Sequence, residues 1–369
     1  MKAYFMLFYI LSVLISNAQK ITYSSNLQRS TDKEIAEIQK VWNNYTKACM
    51  VELIQTKDSI SHTYWCSDTN RKGNIDFLKY SIHPTFPMYL LGDIYTYDIK
   101  KMNDSIFVLN NILSIEDSIG KNVLSIFKVC AKKTGEGYKL FNYFDFYKSK
   151  LNNYNTEYIS YYYPCDYEFD TGVAETTNKF YERLIRDFKL SENPVIYILG
   201  ENVDHGNNFI GFDFTAKSSV LKKAGLFVFP NIILSAQIDH YHELIHVPFL
   251  TTFPKANMLF HEGIATYLAG ASGYGFEFHL NKLKIMLEKN PLIDFTKLDG
   301  LNEFVDDTNI YYTVGAIFIE YANQIGGMGK IKSLFQASGL NNDVFAVIEN
   351  ELGIEKVRFN DTAYPQQAS

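Results

Sequence analysis

Apolar positions recur along this chain with two periods, and the changes of period mark its elements. After a polar lead-in, Ile35, Ile38, Val41, Trp42 and Tyr45 follow at helical spacing, with Thr31 and Glu34 at capping-box spacing ahead of them. A long first helix is predicted there. Between residues 89 and 147 the pattern turns to short runs rich in β-branched and aromatic residues, broken at Asn103-Asp104, Ser118-Ile119-Gly120 and Thr134-Gly135-Glu136-Gly137. These runs predict a curved antiparallel meander wrapped on that helix. The polar stretch 149–155 reads as a linker, so a second domain is expected from residue 155, opening with a strand at 158–164. It continues with a helix at 172–188, a strand at 195–199, a Gly/Asn-rich loop at 200–208 and strand-like runs at 226–229 and 232–234. A helix at 235–247 is expected to stop at Pro248. After a turn at 251–255, a second helix from about 257 closes at Gly270, a good C′ residue. Residues 271–275 read as a flexible loop, helical patterns at 278–288, 310–323, 328–336 and 343–352 predict an α-helical C-terminal lobe, and 361–369 reads as a disordered tail.

The expected class is therefore α+β, with residues 19–154 forming one module and 155–360 another. By coarse pattern the first module, a helix followed by a curved sheet, looks like a nuclear-transport-factor-two-like or cystatin-like domain. It contains no catalytic constellation, and Trp42, Trp65 and the many Tyr and Phe residues read as core and sheet surface.

The first residues change the picture of compartment. Lys2, a thirteen-residue apolar stretch at 3–15, and Ser16-Asn17-Ala18 before Gln19 have the form of a cleavable secretory signal, since the apolar part is too short to span a bilayer and small residues stand where a signal peptidase reads. No Cys follows the expected cut after Ala18, which argues against a lipid anchor. The expected product is soluble and secreted or periplasmic. Removing 1–18 takes away Lys2 alone, so 35 basic residues become 34 against 41 acidic ones, a charge of −7; that balance argues against nucleic acid as a partner. No later segment has the apolar length of a membrane span. Cys49, Cys66, Cys130 and Cys165 show no C-x-x-C spacing, and one or two disulfides or four buried thiols are equally open.

The candidate chemistry lies in Asp239-His240-Tyr241-His242-Glu243-Leu244-Ile245-His246, an H-E-x-x-H motif within a helical pattern. Residues four apart share a helix face, so His242 and His246 can direct imidazole nitrogens at one tetrahedral ion. Glu243, one step round, is placed to hold and deprotonate a water at the metal instead of ligating it. Glu262 follows sixteen residues after His246 in Phe260-His261-Glu262-Gly263-Ile264-Ala265-Thr266-Tyr267. Two His and one Glu make a three-ligand set that leaves a fourth position open, as a catalytic zinc site requires.

H-E-x-x-H followed by E-G-x-A-x-Y resembles the gluzincin metallopeptidases, specifically the peptidase MA-like group, over roughly residues 163–352. The resemblance implies Zn2+ on His242, His246 and Glu262, with Glu243 as general base and later proton donor. Tyr312-Thr313-Val314-Gly315 is similar to the Y-x-x-G segment in which such enzymes place an oxyanion-stabilising tyrosine, with Tyr311 as the neighbouring alternative. The family also lays an edge strand beside the substrate backbone, a role that would fall to 226–234. Aminopeptidase members bind the free amino terminus with an acidic residue, and 224–233 contains none, so an endopeptidase acting on peptide or protein substrates is the expected activity. The competing expectation is a catalytically inactive exported protein whose gluzincin-like domain binds a polypeptide or a cell-envelope component. His240 and His261 read as residues at the rim of the site or supporting a ligand from behind, Thr266 as a hydrogen-bond partner of a ligand or a plain surface residue, and His205 and His279 receive no role.

Overall fold

The computed structural model describes residues 21–55, 61–66, 78, 92–116, 118, 120–216, 225–228, 231–290, 293–302, 304–339 and 341–356. The expected signal segment and the expected tail lie outside them. The chain is a mixed α and β protein with several sheets. Its elements begin with β1 (Ile21–Tyr23), α1 (Ser25–Gln28), α2 (Lys33–Gln55), β2 (Asp93–Lys101), β3 (Ile106–Glu116), β4 (Lys121–Thr134), β5 (Gly137–Asn142) and α3 (Tyr143–Tyr147). There follow β6 (Asn152–Asn155), β7 (Ile159–Tyr163), α4 (Thr171–Phe188), β8 (Val195–Leu199), α5 (Val203–Ile210), β9 (Phe212–Thr215), β10 (Leu226–Val228) and β11 (Ile232–Ser235). The last part holds α6 (Tyr241–Thr252), α7 (Met258–Ala269), α8 (Phe276–Lys289), β12 (Phe304–Val305), β13 (Thr308–Asn309), α9 (Ile310–Leu334) and α10 (Asn341–Leu352).

The described residues fall into two compact units, one within 1–152 together with 200–220, the other within 153–199 together with 221–369. This departs from the expectation of an unbroken second part. Within the loop expected at 200–208 the chain forms helix α5 instead, and β9, which follows it, hydrogen-bonds antiparallel to β4. The linker expected at 149–155 also departs from its reading, because 152–155 is strand β6.

In the first unit the sheet runs β1-β2-β3-β4-β5, with β9 beside β4. β1 is parallel to β2 and the remaining pairs are antiparallel, the expected meander. Helix α2 buries Ile35, Ile38, Trp42 and Tyr45, the stripe its sequence period predicted,. Trp42 packs 6.3 Å from Phe127 and Tyr45 5.2 Å from Trp65, ring centre to ring centre. The helix start differs from the expected box: Asp32, not Thr31, accepts the Glu34 amide at 2.8 Å. Glu34 is drawn to the sheet instead, accepting from Tyr138 (2.7 Å), Lys133 (3.0 Å) and Lys101 (3.1 Å). Those bonds hold its carboxyl at about 2. Cys49 and Cys130 are buried, Cys66 is half-buried and Cys165 is exposed, so four buried thiols does not describe them.

The second unit is built on a sheet ordered β10-β11-β8-β7-β6. β7, β8 and β11 are parallel, with α4 crossing between the first two, and β10 closes one edge antiparallel to β11. The runs Val195-Ile196-Tyr197-Ile198-Leu199 and Ile232-Ile233-Leu234-Ser235 are almost wholly buried, as parallel strands covered on both faces are,. Helix α6 joins two cores. Leu244 and Val247 pack with the sheet residues, Ile245 and Phe249 with the helical lobe of α7, α8, α9 and α10. A helix buried on both sides reads as apolar nearly all round, and His242 and His246 interrupt that run.

α6 does not stop at Pro248. It continues to Thr252, with Phe249 fully buried and Thr251 Oγ1 donating to the Val247 carbonyl at 2.7 Å. The hydroxyls of Thr252 and Thr251 accept from the Ser191 amide (3.0 Å) and the Asn193 side-chain amide (3.2 Å). These contacts offset the hydrogen bond and the steric fit that an interior proline gives up. α9 also runs on past 323, to Leu334, with a non-helical break at Gly327.

α7 and α9 cross at a pair of glycines. A Cβ added to Gly263 would meet the backbone of Gly315, and one added to Gly315 would meet the Leu259 carbonyl and stand 3.0 Å from Gly263 Cα. This contact fixes how close Glu262 and Tyr312 stand. Gly263→Ala is expected to destabilise the fold by ~3 kcal/mol through overpacking against backbone, with a melting-temperature loss of roughly 6–12 °C for a unit of this size. Thermal unfolding followed by circular dichroism measures it, and a loss under 2 °C, roughly the shift expected from under 1 kcal/mol, would show that the helices separate freely.

Candidate metal centre

His242 and His246 lie one turn apart on α6, their rings 5.1 Å apart. The α6–α7 hairpin brings Glu262 onto the same face. One of its carboxylate oxygens stands 3.3 Å from His242 Nε2 and 3.5 Å from His246 Nε2. One donor atom from each residue lies within 4.8 Å of the others, a group that could hold a metal ion. His246 is buried, and the side chains of His242 and Glu262 are 10% and 13% exposed.

The tautomer of His242 follows from its other nitrogen. Nδ1 is 2.6 Å from the Gly270 carbonyl, which only accepts, so Nδ1 carries a proton and the ring plane is fixed,. Gly270 is required there: its φ is +77°, and a Cβ would stand 2.9 Å from Gly275 Cα,. With Nδ1 protonated, Nε2 faces a carboxylate either as a lone pair or as an N–H. Burial works against the charged ring, but the Glu262 hydrogen bond and the Glu243 and Glu262 charges outweigh it and raise His242 to about 9. Glu262 is driven well below the usual carboxylate range: burial opposes this, and the two histidines overcome it. An ionised acceptor locked between two imidazole nitrogens fits a bound cation, which replaces the proton that otherwise joins these groups.

Glu243 is half-buried beside the cluster. Its Cγ is 2.7 Å from where a Cβ on Gly225 would stand, so the residue just before edge strand β10 lies directly against it. Tyr312, from the first turn of α9, stacks 6.0 Å from the His242 ring at 19°. Burial and the adjacent Glu262 carboxylate raise its pKa, so its hydroxyl keeps its proton. Tyr311 points elsewhere: buried in the helical core, it donates to Asn257 Oδ1 at 3.1 Å. The two neighbouring tyrosines are thus separated by geometry.

His240 stands outside the donor group. Its amide donates to the Tyr197 hydroxyl (2.8 Å), its Nδ1 lies 3.3 Å from Ser235 Oγ, and burial lowers its pKa. His261 is a core histidine, neither rim nor ligand support. It is fully buried against the Phe335 ring (5.2 Å), with Nε2 3.2 Å from the Phe253 carbonyl, and burial holds it neutral at about 4. One position back from Glu262, its side chain leaves α7 on another face. Thr266 is likewise buried, against the surface reading, and its hydroxyl has no hydrogen-bond partner among the described residues.

Two residues that sequence reasoning passed over stand close to the site. Asn309 caps α9, accepting the Tyr312 amide at 3.2 Å, and an Asn before a helical run is a signal that could have found it. His279 contacts the turn after Gly270 and carries no local signal. No protein-family model matches the chain, and no curated protein matches it.

Proposed function

We propose that the chain is an exported zinc-dependent metallopeptidase of the gluzincin type, acting as an endopeptidase on peptide or protein substrates. The convergence of His242, His246 and Glu262 carries this reading. Their imidazole and carboxylate donors suit Zn2+ better than the all-oxygen shells of Mg2+ or Ca2+. A zinc ion held there would supply a Lewis acid for the scissile carbonyl and acidify a water.

The chain's own groups would do the rest. Glu243, next to His242 on α6 but outside the donor group, would accept a proton from the attacking water, and after carbonyl attack it can return that proton to the leaving amine,. Tyr312, protonated and against the cluster, offers a hydrogen bond to the oxygen that gains charge. β10 is an edge strand among the described strands, and its backbone groups beside Gly225 are available to an extended peptide,. The absence of a Cβ at Gly225 lets that peptide lie close to Glu243. The leader-like residues 1–18 support export.

The test is hydrolysis of an unstructured protein substrate by chelator-free protein, with zinc content measured in parallel. Wild type should contain about one zinc per chain and lose hydrolysis on chelation. Tyr312→Phe should keep the zinc and lose kcat by roughly 100-fold with little change in KM, the usual loss for one oxyanion donor. A protein without zinc and without hydrolysis would leave the binding-module expectation standing in its place.

A further inference from the structure

The Gly270 carbonyl that receives the His242 proton belongs to a tight turn, not to a flexible loop. Ala271 and Tyr274 exchange backbone hydrogen bonds at 3.0 and 2.9 Å, and Ser272 and Gly273 both take positive φ, as in a type I′ turn,. A side chain from the next helix holds this turn from beneath. His279, on α8, is 1% exposed, and its Nε2 lies 2.9 Å from the Ala271 carbonyl and 3.2 Å from the Tyr274 carbonyl. Both are acceptors only, so Nε2 carries the proton and donates to the turn. Burial disfavours a second proton on the ring. Nδ1 is then a lone pair, and the buried Thr308 hydroxyl, 3.1 Å away, donates to it.

Thr308 lies on β13, immediately before the residue that starts α9. Asn309 Oδ1 accepts the Tyr312 amide, and the Asn309 carbonyl accepts the Thr313 hydroxyl at 2.8 Å. The ring of His279 therefore bridges two segments. One is the turn whose Gly270 carbonyl orients His242, and the other is the strand from which the Tyr312 helix springs.

We propose that His279 is a positioning residue for the metal centre, through which the aim of His242 and the stance of Tyr312 are set together. The proposal rests on the metallopeptidase reading, and its two arms separate by experiment. Zinc affinity reports the turn, and turnover at full zinc loading reports the α9 start.

Zinc is titrated into metal-free protein against a chromophoric chelator, hydrolysis of an unstructured protein is measured at saturating zinc, and amide exchange is followed at Ala271 and Tyr274. His279→Leu, which fills the space without a donor, should fold, bind zinc 10–100-fold more weakly, as loss of a ligand-orienting partner usually does, and exchange those amides faster. His279→Gln, whose side-chain amide can reach the Nε2 position, should recover zinc affinity to within about threefold. Thr308→Val should leave zinc affinity and KM unchanged and lower kcat by about tenfold. Should His279→Leu fail to fold, the Gln and Val variants carry the same test. A folded His279→Leu with wild-type zinc affinity, a Gln variant no better than Leu, or a Thr308→Val with wild-type kcat would each overturn the role given to His279. A wild-type protein that takes up no zinc overturns the metallopeptidase reading and this role with it.

Discussion

Glu243→Gln is expected to abolish hydrolysis of a protein substrate, with kcat down by at least ~10³-fold, while zinc content and melting temperature stay at wild-type values. The size follows from the role. A positioned general base contributes roughly 10²–10⁴-fold, and Glu243 is asked to move the proton twice, once from the attacking water and once to the leaving amine. The selectivity follows from the geometry. Glu243 is absent from the donor group formed by His242, His246 and Glu262, so its amide analogue takes no donor from the cation. The neighbouring Gly225 leaves no side chain to clash with a carboxamide of the same shape. Rate and zinc content measured on one preparation decide the matter. If Glu243→Gln and wild type hydrolyse every substrate tried at the same rate, the enzyme reading is wrong.

Glu262→Ala and His246→Ala should lose metal and activity together, with zinc affinity reduced on the order of 10³-fold each, about a third of a binding free energy near 12 kcal/mol for a three-donor site. Glu262→Ala removes the acceptor that lies 3.3 Å and 3.5 Å from the two imidazole nitrogens, leaving two neutral donors. It also removes the hydrogen bond and one of the two carboxylate charges that raise His242, so that ring should titrate below about 9. A further consequence concerns protons. With His242 at about 9, metal-free protein at pH 7–8 carries the proton that zinc must displace, so zinc uptake should release about one proton in that range and progressively less as pH passes 9,. The sign is fixed: a group with a raised folded pKa stabilises the metal-free fold fully below its unfolded value near 6.5, and that contribution fades as pH rises toward 9. Zinc titration in weakly buffered solution with a pH indicator counts the protons, and zinc uptake at pH 7.5 with no proton release would refute the His242 assignment. Wild-type zinc affinity in Glu262→Ala would remove it from the donor set.

How much of this was readable from residues alone depends on the range of the interaction concerned. His242 and His246 were legible because a four-residue step is a fixed rotation on any helix. Glu262 was legible because a short turn between two helices returns the chain to the same face. Tyr312 was singled out from a motif, but its separation from Tyr311 needed the register of α9, which spacing cannot supply for adjacent residues. His279 was illegible: its partners lie 5, 8 and 29 residues away and leave no periodic trace. Pro248 misled because its local rule is sound and tertiary burial of Phe249 overrode it,. His261 misled in the opposite direction, a histidine beside Glu262 that the helix turns into the core. Residues 200–208 looked like a loop because their Gly and Asn content hides a short helix, and nothing local tells the strand that follows, β9, which sheet will accept it.

That last feature reaches into how the protein is made. Because β9 hydrogen-bonds to Ser125, Ile126 and Phe127 of β4, the first sheet needs a strand encoded after the second has begun. During synthesis the amino-terminal unit cannot close its sheet until residues past 215 have emerged, by which time β6, β7, α4 and β8 are already waiting. The two units are thus committed to a shared schedule of folding. A single cut near residue 152 would yield an amino-terminal piece with the edge of β4 bare, prone to pair with another chain, and a carboxy-terminal piece carrying a strand with no sheet to join.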